Sequence, residues 1–481
     1  MQMPILKATF LAIVVAVAAP AAWAADPEPA PLQAETPAPA ADVIVTRDGD
    51  AWTADYVLER DAPVWAFIRS SVTHTTREPW RVQTWRVLTP GVVLERVGNL
   101  DVLRAVDGGD VPRHLTLSPT PTPEHLEADY PSLIFTDGSV ALFSGAFDVF
   151  PLSSLEEARS VPEDLNGAFD IPVGEVRITW RDTAGPVLLH GQRLSDATLQ
   201  DARAYVLFGQ ARMNETERLV TVADPQLPAW ISTELEAFAP RVIEYYGQRL
   251  GAGQTDRPTI MASWRGPTPG MTGLSGSVLP GLIVMSLEGE ALLESSTGVL
   301  DHSRWFISHE SAHFWLGQTV RYERSRDAWI TEGGADLMAA LATKALVPTY
   351  DLRAELQREV DECIGLADQP ISEAGARGQH TAYYACGAVF ALVAQSVQAR
   401  HDGGDGFDFL RSLIDANRED GVLTRDEWLA HLTSVSGDAS LAADIVVMLD
   451  QGVADPQATL AGLFARSGMA FHLQDGALRL D

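Results

Sequence analysis

Hydrophobic and polar positions change their rhythm partway along this chain. From about residue 43 to 215, short runs such as 65–73 and 176–180 alternate or are β-branched. A period of two is that of strands with one buried face. Asp107-Gly108-Gly109-Asp110 and Asp137-Gly138 supply turns between such runs. The pattern predicts a mostly β domain, of sandwich type, over 43–215. Residues 227–250 then show helical spacing and stop at Gly251, a residue suited to a helix C-cap. Two strand-like runs follow at 258–264 and 281–287, joined by a Gly/Pro-rich loop. From about residue 301 the spacing is helical. Asp301 or Ser303 caps a first helix and Gly317 ends it. A second helix runs from about Trp329 to Leu346, with Pro348 just beyond, and further helices fit 350–367, 380–400, 405–417 and 424–435. Strands first and helices later predict an α+β fold, with a β-rich N-terminal domain over 43–215 and a second domain over 220–481 whose latter half is helical.

The first 42 residues follow neither rhythm. Lys7 precedes a mostly apolar run at 8–19, and Ala22-Trp23-Ala24 fits a small-x-small cleavage rule. This predicts a cleavable signal peptide over 1–24 and a disordered Pro/Ala-rich linker over 25–42. The apolar run is short for a membrane span. The expectation is an exported protein, periplasmic or secreted, with no membrane insertion once the signal is removed. The 481 residues suffice for two or three domains, and 46% apolar with 21% charged residues is ordinary globular composition. A formal charge of −30, from 35 basic and 65 acidic residues, excludes nucleic acid as a partner and disfavours anionic lipid. Cys363 and Cys386 form no Cys-x-x-Cys pair, so they read neither as zinc ligands nor as a redox motif. An exported chain permits a disulfide between them; two buried free thiols are the alternative.

The chemistry concentrates in His309-Glu310-Ser311-Ala312-His313, followed after eighteen residues by Glu332. Two histidines four apart on a helix share a face and can hold one metal ion, while the glutamate between them addresses a water on that ion. Catalytic zinc takes three protein ligands and keeps a fourth position open. His309, His313 and Glu332 fill that role, with Glu310 as general base and one Zn2+ per chain. A pair of buried histidines with ordinary hydrogen bonds is the competing reading; the intervening glutamate and the third acid weigh against it. Asp336 lies four residues beyond Glu332, on the same helical face. It is placed either to accept the second ring N–H of a ligand histidine or to face solvent.

The histidine motif, Phe314-Trp315, Gly317-Gln318 and Trp329-Ile330-Thr331-Glu332-Gly333-Gly334-Ala335 together resemble the aminopeptidase N family of gluzincin metallopeptidases. That resemblance implies a thermolysin-like catalytic domain, zinc-dependent hydrolysis of peptide bonds, and a peptide or protein substrate. Tyr384-Ala385-Cys386-Gly387-Ala388 is similar to the family's Tyr-x-Lys-Gly-Ala stretch, with Cys386 in place of the lysine. It implies a catalytic role for Tyr384 in stabilising the oxyanion. Tyr383 is the adjacent alternative, and His380 lies one turn earlier. The family's Gly-Ala-Met-Glu-Asn segment, whose glutamate grips the substrate's free amino terminus, is replaced. Aligned on Gly281-Leu282-Ile283, the glutamate's position holds Val278. Glu288, Glu290 and Glu294 follow as candidate substitutes or as solvated acids. The large C-terminal helical domain of many members has no counterpart before Asp481. An inactive peptide-binding protein on the same scaffold, or a zinc hydrolase with a non-peptide substrate, are the competing functions. Retention of Glu310 argues against the first.

Overall fold

The computed structural model describes residues 40–127, 129–162, 176–200, 203–217, 219–255 and 257–481. The expected signal peptide, and all but the end of the expected linker, lie outside these. Alternation builds the first strand, Ala41–Asp48, in which Ala41, Val43 and Val45 are buried and their neighbours are half-open. It pairs antiparallel with Ala51–Leu58 and parallel with Val176–Asp182 at the centre of a six-stranded sheet. Two smaller sheets, of four and five strands, complete the β-rich half among the described residues. Its core is aromatic, with Trp65, Trp180, Phe67, Phe147 and Phe208 buried together. Arg81 sits inside this core with its side chain fully buried, 2.7 Å from Asp101 Oδ2 and 4.1 Å from the Phe67 ring centroid. Arg96 Nε takes the other Asp101 oxygen at 2.8 Å, so the buried carboxylate is satisfied twice.

The next sheet carries the site. Its order is Met213–Glu215, Val220–Ala223, Thr259–Trp264, Leu282–Glu288 and, at the edge, Gly273–Leu279. The two expected strands are its parallel centre. The edge strand turns back antiparallel through Pro280-Gly281, where Gly281 has φ 69°. Both faces are covered, which is why the central strands read as continuous apolar runs. Ile260, Ala262, Ile283 and Met285 face the helices. Met261, Leu282 and Val284 face the core of the β-rich half. One sheet is thus the wall shared by both hydrophobic cores.

The helices follow the expected order with three corrections. The 227–250 segment is two helices, Ala229–Ala237 and Ala239–Leu250, because Pro240 stands in the first turn of the second. The first metal helix runs Thr297–Ala312, from a Ser296 cap that accepts the Val299 N–H, and not from Asp301 or Ser303. Gly298 in the first turn hides that start. The same helix ends before Gly317, which takes φ 134° in the turn beyond it. The second metal helix is Trp329–Leu346, as expected. Leu352–Leu366, Thr381–Asp402, Gly406–Ala416 and Arg425–Ser436 match the later expectations within a few residues. Two further helices, Ala439–Asp450 and Pro456–Ser467, and a terminal hairpin were not anticipated. Cys363 and Cys386 form a disulfide that staples Leu352–Leu366 to Thr381–Asp402. The latter helix is apolar and long enough to cross a membrane by composition, but 78% of its apolar window is buried inside the fold.

The helix bearing Glu332 crosses the helix bearing Tyr384 at two glycines. A Cβ on Gly333 would lie 2.1 Å from the Gly387 carbonyl carbon, and one on Gly387 would lie 2.3 Å from the Trp329 oxygen. The atoms in the way are helix backbone, which cannot swing aside. Gly387→Ala is therefore expected to destabilise the protein by about 2 kcal/mol or more. Gly365→Ala is the control, since that helical glycine has open space around it and should gain about 0.5–1 kcal/mol. Urea unfolding midpoints of the two variants check the contrast.

Candidate metal centre

His309 lies in the last turn of its helix and His313 at the cap position, one turn further on. The helix is held from three sides. Arg304 grips Glu234 of Ala229–Ala237 with two bonds of 2.9 and 3.1 Å. The Tyr246 hydroxyl donates to Ser308 O at 3.0 Å, and Thr343 Oγ1 meets Ser308 Oγ at 3.1 Å. Glu332 stands in the first turn of Trp329–Leu346 and reaches across to both rings. Its Oε2 is 3.3 Å from His313 Nε2 and 3.6 Å from His309 Nε2, and the two Nε2 atoms are 3.1 Å apart. Among the described residues, His309, His313 and Glu332 are the one group of three or more such side chains gathered closely enough to hold a metal ion.

The other ring nitrogens decide what this triangle means. His309 Nδ1 is 2.7 Å from Asp336 Oδ1, and His313 Nδ1 is 2.8 Å from Leu316 O. Both oxygens are acceptors, so each Nδ1 carries the hydrogen and each Nε2 presents a lone pair. Two lone pairs and a carboxylate oxygen thus face one point. A cation there resolves the repulsion. Donors about 2.0–2.1 Å from a tetrahedral ion lie about 3.4 Å from one another, which matches the observed edges. The residues fit zinc. Asp336 takes the first of its two expected roles, and its side chain is buried.

The electrostatics show that the same point attracts positive charge, from a metal ion or, without one, from protons on the rings. Burial opposes charge on His309, but the Asp336 carboxylate and its hydrogen bond, with Glu332, outweigh it and hold the ring well above the usual histidine range. His313 is also raised, since Glu332 outweighs burial. Burial would raise Glu332, yet the two histidines pull it far below the usual carboxylate range. Glu310 goes the other way. Burial raises it, and the histidines only partly offset this. A carboxylate with a raised proton affinity suits proton transfer. Its carboxyl group rests against the edge strand, where a Cβ on Gly276 would stand 2.2 Å from Glu310 Cδ.

Tyr384, not Tyr383, faces the metal ligands. The Tyr384 ring stacks on His309 with centroids 5.8 Å apart. Its phenol is raised first by the charge of Glu332, then by burial, Glu310 and Asp336. The Tyr383 hydroxyl is instead occupied by Gly375 N–H at 3.1 Å and Ser372 O at 3.3 Å. His380 Nε2 reaches Glu127 of the β-rich half at 3.4 Å. Val278 packs against the helical core from the edge strand. Glu288 is engaged by Arg265 at 3.3 Å and Thr268 at 2.5 Å, while Glu290 and Glu294 face solvent. Trp305 is a site residue that the sequence reading missed. Its ring centroid is 5.4 Å from that of His309, and it stacks on His302 at 5.6 Å. Its place one helical turn before His309 was the available signal.

A parallel-centred sheet covered by helices, with a His-His-Glu group that could hold a metal ion between the helices, defines an α+β fold. No family model matches the chain, and no curated protein matches it. Among solved structures it is similar to an aminopeptidase N family protein from Idiomarina loihiensis, with a TM-score of 0.62 and 11% identity over 91% of this chain and 80% of that one. It is also similar to leukotriene A4 hydrolase from Saccharomyces cerevisiae, with a TM-score of 0.51 and 13% identity over 86% of this chain and 68% of that one. At such identities the likeness is one of fold. The chain has the fold of the aminopeptidase N family.

In the metal-free protein the histidines hold their protons more tightly than usual, so a bound ion must displace them. Raised ring pKa values mean that protons compete from above pH ~6.5, the ordinary histidine value. Zinc affinity is expected to fall as the pH is lowered through neutrality, and calorimetry in buffers of different ionisation enthalpy should record proton release. Asp336→Ala should weaken zinc binding by about 10–100-fold, measured by competition with a chromogenic chelator.

Proposed function

We propose that this protein is a zinc-dependent metallopeptidase that hydrolyses peptide bonds. The observation that carries the proposal is the convergence of the His309, His313 and Glu332 donor atoms beside a buried glutamate of raised proton affinity. Bound zinc would supply Lewis-acid chemistry, acidifying a water and polarising the scissile carbonyl. The protein's own residues do the rest. Glu310 takes the proton from the attacking water and hands it to the leaving amine. The Tyr384 hydroxyl, kept protonated by its acidic neighbours and burial, donates a hydrogen bond to the carbonyl oxygen as it gains charge. Asp336 holds the His309 ring and its tautomer. The free edge of Gly273–Leu279 offers backbone groups along which an extended peptide can pair.

The substrate is a peptide or protein chain that need not present a free amino terminus. Val278 has no charge to offer an ammonium group, and Glu288, which pairs with Gly273 at the other end of the edge strand, is already engaged. The proposed setting is an exported one, periplasmic or secreted, after removal of the segment 1–24. The disulfide between Cys363 and Cys386 supports it, since such bonds persist in oxidising compartments.

Two measurements test the proposal. Glu310→Gln should retain zinc while kcat/KM on peptides falls by about 10²–10⁴-fold; stoichiometric zinc with no cleavage of any peptide by the wild type would end the peptidase reading. Acetylation of a substrate's amino terminus should change kcat/KM by less than about tenfold, because no ion pair worth that much is lost.

A further inference from the structure

The edge strand Gly273–Leu279 carries at its midpoint a glycine that its backbone does not require. Gly276 pairs with Met285 in the middle of an unbroken antiparallel register. Its φ lies outside the left-handed region that favours glycine. Glycine inside a strand weakens it, and it often marks a place where another group approaches closely. The group here is Glu310. A Cβ at position 276 would stand 2.2 Å from the Glu310 carboxyl carbon and from Oε1, and 2.7 Å from Oε2. Leu274 and Val278, two residues to either side, share that face of the strand and pack against the helical core. The face therefore reads apolar side chain, gap, apolar side chain, and the carboxyl group lies in the gap.

The strand is not free to retreat and make room. It is paired along its whole length with Leu282–Glu288. Its end is also tied, by one side chain, to the turn that follows the first metal helix. Gln318 Nε2 donates to Leu279 O at 2.5 Å, and Gln318 Oε1 accepts the Gly281 N–H at 2.9 Å. The backbone N–H of Gln318 donates in turn to the carbonyl oxygen of His313 at 3.1 Å. The edge strand is thus moored to a metal ligand's own backbone. Between this moored backbone and a carboxyl group at the end of a flexible side chain, the carboxyl group is the part that yields.

We propose that Gly276 is a positioning residue: the side chain it lacks leaves the seat in which the Glu310 carboxyl group stands. This rests on reading Glu310 as the general base of the metal centre. The strand offered to an extended peptide then also places the group that moves the protons, so substrate and base are referred to one backbone. Proton transfer needs hydrogen-bond reach, and a misplacement of about 1 Å can cost about 10²-fold in rate. A side chain at position 276 would impose such a misplacement on Glu310 while leaving the three metal ligands untouched.

The test is Gly276→Ala. In crystal structures of the zinc-loaded wild type and variant, the Glu310 carboxyl group should move by about 1 Å or more, which takes the 2.2 Å overlap to ordinary van der Waals contact. The backbone of 273–279 should stay in place. Zinc affinity, measured by competition with a chelator, should be unchanged, since no ligand moves. On peptides kcat should fall by about 10–100-fold with KM altered far less. A Glu310 that keeps its place while the strand gives way overturns the proposal, as does an unchanged kcat in an active enzyme, or a loss that falls on KM alone. Should Gly276→Ala fold poorly, the same change made in Glu310→Ala protein should leave the urea midpoint unaltered, because the overlap is gone; an equal drop there overturns the seat. Displacement of Glu310 in the variant, with no hydrolysis by the wild type, supports the seat while ending the peptidase reading.

Discussion

Three electron pairs pointed at one place define this molecule's site. His309 Nε2, His313 Nε2 and Glu332 Oε2 stand 3.1–3.6 Å apart with their hydrogens directed elsewhere. Such an arrangement calls for positive charge at its centre, a metal ion or the protons that the rings otherwise hold, and for a rigid frame. The frame is built from ordinary parts. Asp336 and the Leu316 carbonyl hold the rings by their far nitrogens. Trp305 and Tyr384 both pack against the His309 ring. The glycine-to-glycine crossing at Gly333 and Gly387 sets the Glu332 and Tyr384 helices at backbone contact, so ligand and phenol cannot drift apart.

The shared sheet explains why the β-rich half belongs to the same machine. Its central strands feed one core through Ile260 and Ile283 and the other through Met261 and Val284. A change in either half is felt at the edge strand that lies against Glu310. The β-rich half also reaches the Tyr384 helix directly, through Glu127 and His380.

Legibility from the sequence varied with the range of the interaction involved. The ligand helix at Trp329–Leu346 was readable because its apolar spacing, its glycines and Pro348 are all local signals. The start of the histidine helix was not, because Gly298 in its first turn imitates a loop. Pro240 was a visible break in 227–250, and the reading passed over it. The last two helices lay beyond the segments assigned to elements. Within the site, the ligands and the base followed from spacing on a helix. Tyr384 was preferred over Tyr383 through its family-like stretch, and packing agrees, since adjacent residues on one helix diverge by about 100° in direction and the Tyr383 hydroxyl is turned to Gly375 and Ser372.

The sequence by itself therefore determined the spacing of His309, Glu310, His313 and Glu332 and the broad order of strands and helices, because each is carried by neighbours along the chain. The tertiary structure decided the rest: that Cys363 and Cys386 are joined, that Asp336 faces a ring and not water, and that Glu127 of the β-rich half meets His380. Those facts depend on contacts between segments that come together only when the chain folds. Such contacts arise from how two cores close on a common sheet, and no local periodicity encodes them.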